Sequence, residues 1–467
     1  MKLRHIESTP ALPLEVIEQI VDASLDDRRL LRNLALTSKA LIPRSQAHLF
    51  ARLEFDLAYD YPASNVTRDL DVYDRVRATA GRLSGASEFF RTRTHLLSYV
   101  QSFMFRHNSV FVAEIVAVFG ELFPHLVNLR EVHIENWDWS WTLKDNLNTH
   151  ELMAQLFKSI SGRTGSKAVI RGCFFDRPSE LAALLHDYDS VDLSTSSFTE
   201  DDLETSDLDF KTPECRPRVL CIERIPSPQM RGFLANRNYI DLSALKELEC
   251  STMALRHIMH NVPDYSSLFA QIDRLVVPFD PSSDSSRESF SLSSPRYSMP
   301  TAISASLRIP LELFTTLQVL DIRLTLPIRH DYRVLGNLGY LDLVRKTVER
   351  VKLTGHPAFY LRELHIGKFY ILEAGYEQRT VEELESMLPA VSAALLDKES
   401  FPALERVQID VQGDTVRHAV ILKGVFEELM PGIKANGILD VNATYGESGL
   451  LRFASVLITY FIIRGNQ

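Results

Sequence analysis

The segment Leu242-Ser-Ala-Leu245-Lys-Glu-Leu248-Glu-Cys250 contains a spacing of apolar residues that recurs along this chain of 467 residues. An aliphatic or aromatic residue is followed three positions later by Leu, three further by another apolar residue, and two further by a fourth. The same spacing returns, whole or in part, in Leu126–Ile134, Phe269–Val277, Phe314–Ile322, Leu361–Ile366 and Phe401–Ile409. Alternation at the end of each segment predicts a short strand. The preceding Leu predicts a loop whose Leu side chain also points inward.

The repeated spacing predicts a stack of strands and helices. One unit of this size cannot bury its apolar side chains, whereas neighbouring units that stack can share a core. The segments resemble an irregular leucine-rich repeat, which implies an α/β fold class: a curved leucine-rich-repeat-like solenoid with a parallel sheet. Apolar residues at helical spacing predict helices between strands at Leu338–Val351, Val381–Leu396 and Val416–Leu429.

The repeats are irregular in length. The predicted strand starts Leu248 and Leu275 are 27 positions apart, but Leu275 and Leu320 are 45 apart, so an insertion lies between them. A Ser/Pro-rich stretch at about 280–300 lies within this insertion and predicts a mobile loop. A globular βαβ-type domain would also alternate strands with helices and is the alternative. The recurring Leu before each strand favours the solenoid.

The N-terminal segment predicts a small helical hook rather than a repeat. Pro13 and Glu15 are favourable residues at a helix start. Two stripes of apolar residues at helical spacing follow, formed by Val16, Ile17, Ile20 and Val21, then by Leu30, Leu31, Leu34 and Ala35. About forty residues cannot bury a self-sufficient core. The hook therefore needs a partner, which is either the rest of the chain or another protein.

The hook resembles an F-box, the adaptor motif that docks onto the linker subunit of Skp–cullin–F-box ubiquitin ligases. The resemblance rests on Leu12-Pro13, Glu15, Ile17 with Ile20, Leu30-Leu31 and the tail Leu36-Thr37-Ser38-Lys39. The continuation Pro43-Arg44-Ser45 with His48-Leu49-Phe50 is similar to the F-box form abundant in mushroom-forming fungi. The family commonly has Trp just after the basic residue, where this chain has Ala40-Leu41.

The resemblance implies an F-box-like helical domain at 8–50 and an irregular leucine-rich-repeat-like domain at 51–467. It also implies that a Skp-type linker subunit is contacted by Leu12, Pro13, Ile17, Ile20 and Leu31. A cullin would join through the linker subunit, and the repeat domain would bind an unidentified target protein. The alternative for the hook is an ordinary helical hairpin that packs on its own domain.

Composition excludes several other functions. The formal net charge of -10 and a pI near 5.8 argue against a nucleic-acid binder, because no basic surplus exists to release counterions. Four Cys without a C-x-x-C pair fit a reducing compartment. No signal peptide is recognised, and the apolar stretch Ala454–Ile463 is too short to span a bilayer. We therefore expect a cytoplasmic or nuclear protein without membrane contact.

No motif of catalysis stands out. Gly162–Lys167 resembles a phosphate-binding loop only superficially, because the Walker spacing is not met, and a polar turn is expected there. His257 and His260 lack a carboxylate or Cys at zinc spacing. A nucleophile elbow and a dinucleotide fingerprint are missing as well. We expect no enzyme activity, cofactor or metal; a hydrolase with a dispersed triad is the weaker alternative.

Two further segments are candidate contact surfaces. Trp137, Trp139 and Trp141 would share one side of an extended segment, and Trp is enriched at binding hot spots, so they are possible target-binding residues. Packing over the edge of the solenoid is the alternative for them. The acidic run Glu200–Asp209 is most simply a solvated loop. Together these features predict a ligase substrate-recognition adaptor; the alternative is a stand-alone interaction scaffold with a degenerate F-box.

Overall fold

The structure is a computed structural model. It describes residues 14–24, 27–37, 39–56, 81, 84–106, 118–137, 139, 147–198, 215–222, 228–237, 239–262, 264–279, 309–324, 333–371, 377–413 and 416–445. The chain divides into two compact units. The first contains Met1–Cys215 with Asn238–Ile240, and the second contains Arg216–Arg237 with Asp241–Gln467.

Helices and strands are numbered in chain order. The helices are α1 Leu14–Ala23, α2 Arg28–Thr37, α3 Ile42–Leu49, α4 Leu147–Ile160, α5 Pro178–Leu184, α6 Pro228–Ala235, α7 Thr252–Asn261, α8 Tyr265–Ala270, α9 Arg333–Thr354, α10 Glu377–Leu395, α11 Val416–Leu429 and α12 Pro431–Ala435. The strands are β1 Arg52–Asp56, β2 Ser102–Arg106, β3 Glu131–Glu135, β4 Lys167–Arg171, β5 Phe174–Phe175, β6 Ser190–Asp192, β7 Ser197–Phe198, β8 Val219–Ile222, β9 Glu247–Cys250, β10 Arg274–Phe279, β11 Val319–Leu324, β12 Glu363–Ile371, β13 Arg406–Gly413 and β14 Leu439–Tyr445. Short 3-10 turns precede several of the strands.

The first unit contains a parallel sheet with the order β1-β2-β3-β4-β6, and β5 pairs with β7 in a small second sheet. Val132 and Ile134 of β3 are buried and alternate with half-buried neighbours, whereas β2 and β4 each bury three consecutive residues. Aromatic rings fill this core: Phe119 makes edge contacts with Phe103 and Phe105, with ring centroids 5.3 and 5.0 Å apart. Edge-to-face pairs of this kind are favourable beyond the area they bury.

The second unit carries seven strands, β8 to β14, that pair in chain order and are all parallel. The predicted inward positions lie opposite one another, in the series Leu248, Leu275, Leu320, Leu364 and Val407. Each of these side chains is buried. Stacking therefore joins the apolar residue of one repeat to that of the next, which is how repeats gain a shared core.

One backbone hydrogen bond repeats before the strands β9 to β13 of this unit. The amide of Gln318 donates to the carbonyl of Asp273 at 2.8 Å, and the amide of Arg362 donates to the carbonyl of Gln318 at 2.9 Å. Asp273 and Glu405 donate in the same way to Lys246 and Arg362. The turn that precedes each of these five strands is thus tied to the turn of the previous repeat. The predicted fold class, with N-terminal helices followed by parallel strand repeats, is confirmed.

The helices between strands extend beyond their predicted bounds in two cases. α9 begins at Arg333 and α10 at Glu377, each several residues before the apolar pattern that predicted it. The first four residues of α10 are polar, so no apolar spacing marks them in the sequence. α11 has the predicted bounds. The Ser/Pro-rich stretch at 280–300, the run Glu200–Asp209 and the stretch Ala454–Ile463 lie outside the described residues.

Among the residues described above, no helix has both the length and the apolarity needed to cross a membrane.

Candidate partner-docking surface of the N-terminal hook

The three helices of the hook pack around a small core of their own. Val21 of α1, Leu31 of α2 and Leu41, just before α3, are buried against one another. Leu34 and Leu49 pack partly against them. Leu31 is completely buried, so the prediction that it contacts the linker subunit is wrong for this structure. Its side chain is needed inside the hook because three short helices offer few other apolar groups for a core.

A cluster of ion pairs holds α1 against α3. Arg44 donates from Nη1 to Glu18 Oε2 at 2.8 Å and from Nε to Asp22 Oδ1 at 2.7 Å. His48 Nε2 lies 2.8 Å from the same Asp22 oxygen. The hydrogen bond from Arg44 is the main reason that the pKa of Asp22 lies well below its usual range, and His48 adds to the effect. The ion pairs fix which side of α1 faces its neighbour.

The opposite side of α1 carries an exposed apolar ridge, formed by Val16 and Ile20. These residues are one helical turn apart and remain 38% and 44% exposed. With roughly 100° of rotation per residue, they lie about opposite the side of Glu18 and Asp22 that faces α3. Because the ion pairs turn the acidic side inward, the apolar side stays uncovered by the described residues.

On α2, the buried side is formed by Leu31 and Leu34, and two other leucines remain outside. Leu30 flanks the buried side and is exposed. Leu36 points away from the core and is 86% exposed, an unusually open position for a leucine. Scattered exposed apolar residues are normal, but the two short helices α1 and α2 together expose four: Val16, Ile20, Leu30 and Leu36. This density makes the hook a candidate for contact with a partner.

The two predicted contact residues whose side chains the structure describes differ in exposure. Ile20 is exposed as a contact would require, and Leu31 is not. Leu12 and Pro13 lie outside the described residues, and so does the side chain of Ile17. Val16, Leu30 and Leu36 were not predicted as contacts from the sequence. A helical projection of α2 that starts from Leu31 and Leu34 as the buried side would have found Leu36.

Aromatic contacts fasten the hook to the remainder of the first unit. Phe50, at the end of α3, stacks on Phe89 with ring centroids 6.3 Å apart and meets the edge of Phe90 at 6.4 Å. The guanidinium of Arg93 lies over the Phe89 ring at 4.6 Å from its centroid, a cation–π contact. These contacts involve the C-terminal end of α3. The α1 ridge is not part of them.

Two of the predicted target-binding tryptophans are core residues. Trp137 contacts the ring of Phe105 at 5.2 Å, and Trp139 stacks on Phe175 at 5.4 Å; both indoles are buried. The prediction that they bind a target is therefore wrong, because their rings fill space between strands that are distant in sequence. Trp141 lies outside the described residues.

The polar sides of the strands carry rows of ion pairs. In the second unit, Asp321 accepts hydrogen bonds from Arg323 and lies 3.6 Å from Nη2 of Arg274. In the first unit, Arg106 donates to Glu135 at 2.6 Å. These pairs join neighbouring strands or neighbouring positions on one strand. They give the sheet a charged face in each unit, opposite the apolar core.

Gly162 and Gly165 have positive φ, which glycine adopts easily, and lie in a turn between α4 and β4, as expected. No cluster of His, Cys, Asp or Glu suited to a metal occurs in the described ranges. Burial raises the pKa of Cys173 and of Cys215 to about 12, so neither thiol is activated as a nucleophile.

Comparisons with known proteins give limited guidance. No protein-family profile matches the chain, and no curated protein matches it. Among solved structures, the chain is similar to a chain in the crystal structure of the Rad7 and Elc1 complex in yeast. That similarity has a TM-score of 0.31 and 12% identity, and it covers 85% of this chain and 89% of the other. At this level the similarity assigns neither family nor function.

Proposed function

We propose that this protein is the substrate-recognition adaptor of a Skp–cullin–F-box type ubiquitin ligase. The F-box-like sequence of the hook supports the proposal, together with one structural observation. Val16 and Ile20 form an apolar ridge on the side of α1 that faces away from the hook's own ion pairs. An ordinary hairpin would turn its apolar stripe toward its own domain.

In this proposal the ridge docks onto a Skp-type linker subunit, and a cullin joins through that subunit. Burying an aliphatic side chain of this size contributes about 1.5–3 kcal/mol, so a few such residues supply a useful part of a binding free energy. The protein would work in the cytoplasm or the nucleus. It would need no active site of its own, because an adaptor acts by positioning. Holding a target lysine close to a charged ubiquitin carrier raises the effective concentration of that lysine.

Target recognition is assigned in this proposal to the repeat strands. Their polar faces present charged side chains in fixed rows, such as Arg323 beside Asp321 and Arg406 beside Asp440. Side chains already held by a neighbour lose little freedom on binding, which favours specific recognition. The buried tryptophans play no part in this role.

A pull-down of the full-length chain tests the proposal. Recovery of the linker subunit and a cullin with the unmodified chain, and their loss with Val16→Asp/Ile20→Asp, is the expected result. Val420→Asp is the matched control, because Val420 is an exposed apolar residue on α11 and far along the chain from the hook. Equal recovery with the double variant would show that the ridge is not the contact.

A second candidate is an interaction scaffold whose hook no longer docks onto a linker subunit. It is favoured by Ala40-Leu41 at the position where the F-box family commonly has Trp. Leu41 is buried in the hook core, so only Ala40 is left at the surface there. If the unmodified chain recovers a target protein but neither linker subunit nor cullin, the scaffold function is the correct one.

A further inference from the structure

One side of α2 combines positive charge with an exposed leucine. Arg29, Arg32 and Leu36 are spaced three and four positions apart, so they share one face of the helix, here called the α2 outer face. Leu31 and Leu34 lie on the opposite side and pack in the hook core. All three residues of the outer face are exposed, and Leu36 has 86% of its surface open to solvent.

The two arginines are not used for internal ion pairs among the residues that the structure describes. Arg44 shows the contrast, since its guanidinium is held by Glu18 and Asp22. Asp27, the acid nearest in sequence among the described residues, accepts a hydrogen bond from the backbone amide of Leu30. No residue in the described part of the hook therefore neutralises the charge of the outer face with an ion pair.

We infer that the α2 outer face docks against an acidic surface of the linker subunit, which covers Leu36 and lies opposite Arg29 and Arg32. This inference rests on the proposed function and adds a second contact to the α1 ridge. An apolar side chain that follows two cations along one helix face is complementary to an apolar recess with carboxylates on one side of it. The arginines speed association and select the partner, and Leu36 contributes buried apolar area.

The charge of the whole chain makes this face distinctive. The chain carries a formal net charge of -10, so a positive helix face is a local exception. A second copy of the chain would also offer acidic surface, which is why self-association is one outcome of the test. A complementary acidic partner is attracted to this face over distances of about one Debye length.

The test measures binding of the purified full-length chain to a purified Skp-type linker subunit at several salt concentrations. With Arg29→Glu/Arg32→Glu, we expect Kd to rise roughly tenfold, mainly through slower association. The unmodified complex should weaken as NaCl rises from about 0.05 to about 0.5 M, and the variant complex should be much less sensitive. Lys398→Glu, an exposed cation in the second unit, is the control and should bind like the unmodified chain.

The outcomes separate this inference from the proposed function. Salt-independent binding of the unmodified chain, or an Arg29→Glu/Arg32→Glu variant within about twofold of it, overturns the inference and leaves the ridge contact standing. No binding by the unmodified chain overturns both. A dimer of the unmodified chain that the double variant abolishes assigns the face to a second copy instead. If the double variant does not fold, Arg29→Gln/Arg32→Gln replaces it, with an expected loss of about threefold.

Discussion

Arg44 Nε on α3 donates a 2.7 Å hydrogen bond to Oδ1 of Asp22 on α1. The two residues are 22 positions apart, and the bond fixes the rotation of α1 about its own axis. Since the α1 ridge lies on the far side of the same helix, this ion pair helps to decide which residues of α1 are exposed. The hook's surface is thus set by a polar contact together with Val21 in its small core.

Arg44→Met should loosen α1. Hydrogen exchange of the α1 amides is expected to become faster in this variant, because two carboxylates lose their common partner. Arg91→Met is the control: its pair with Glu121 lies elsewhere in the first unit, so α1 exchange should not change. Unchanged protection of α1 in Arg44→Met would mean that the apolar core alone orients the helix.

The two leucines at positions 31 and 36 should respond in opposite ways to truncation. Leu31→Ala opens a cavity in the hook core and should destabilise the hook by about 3 kcal/mol. Leu36→Ala should change stability by less than about 0.5 kcal/mol, because its side chain is already in solvent. Thermal unfolding and hydrogen exchange of α2 measure both. A destabilised Leu36→Ala would show that Leu36 is covered within the free chain.

Trp139→Ala should act on stability. The indole stacks on Phe175 in the core, so its loss is expected to cost about 3–5 kcal/mol and to lower the Tm of the first unit. Phe174→Ala is the matched control, since that neighbouring ring is about half exposed and its removal should leave Tm almost unchanged. An unchanged Tm for Trp139→Ala, with loss of a bound target, would restore the contact role predicted from the sequence.

Acid should weaken the first unit through Glu131. Its close contact with His133, 2.7 Å between Oε1 and Nε2, is the main cause that lowers the pKa of Glu131 from about 4.5 to about 2, and Lys167 adds to it. A carboxyl group with a lowered folded-state pKa stabilises the fold above its unfolded pKa and loses that contribution as pH falls. The loss should occur between about pH 4.5 and pH 2.

Glu131→Gln tests this assignment by urea unfolding across that pH range. The variant is expected to be less stable at neutral pH and to show a shallower decline in acid, because it has no proton to take up there. Glu88→Gln, at an exposed position, should follow the unmodified chain. A variant whose decline is as steep as that of the unmodified chain would assign the acid sensitivity to other carboxylates.

The buried cysteines should resist alkylation. Burial raises the pKa of Cys173 and Cys215 to about 12, and Cys250 is shifted in the same direction, so almost no thiolate exists at neutral pH. Iodoacetamide followed by peptide mass spectrometry should find Cys221, which is half-buried, modified first. In denaturant all four should react. Early modification of Cys173 in the native protein would mean that its surroundings open readily.

The repeat strands could be predicted from the sequence because strand geometry is local. In a strand, the parity of a position fixes which side of the sheet its side chain faces, so Leu364 and Ile366 had to be buried together. The Leu three positions before each strand gave a second marker. Both signals are available without knowledge of the neighbouring repeat.

The contact surface of the hook could be predicted only in part, because helix packing is not local. Leu30 and Leu31 are adjacent and chemically identical, yet one is exposed and the other is buried in the hook core. The difference depends on how α2 meets α1 and α3. The tryptophans show the same limit, since Trp139 is covered by Phe175, whose strand comes from a later part of the chain.

The register between β10 and β11 does not depend on the length of chain that joins them. Leu275 lies opposite Leu320, 45 positions away, in the same manner that Leu248 lies opposite Leu275, 27 positions away. New sequence can therefore be acquired between two repeats without redrawing the scaffold on either side. Such a connection is a natural place for insertions to accumulate, or for an engineer to graft a foreign peptide.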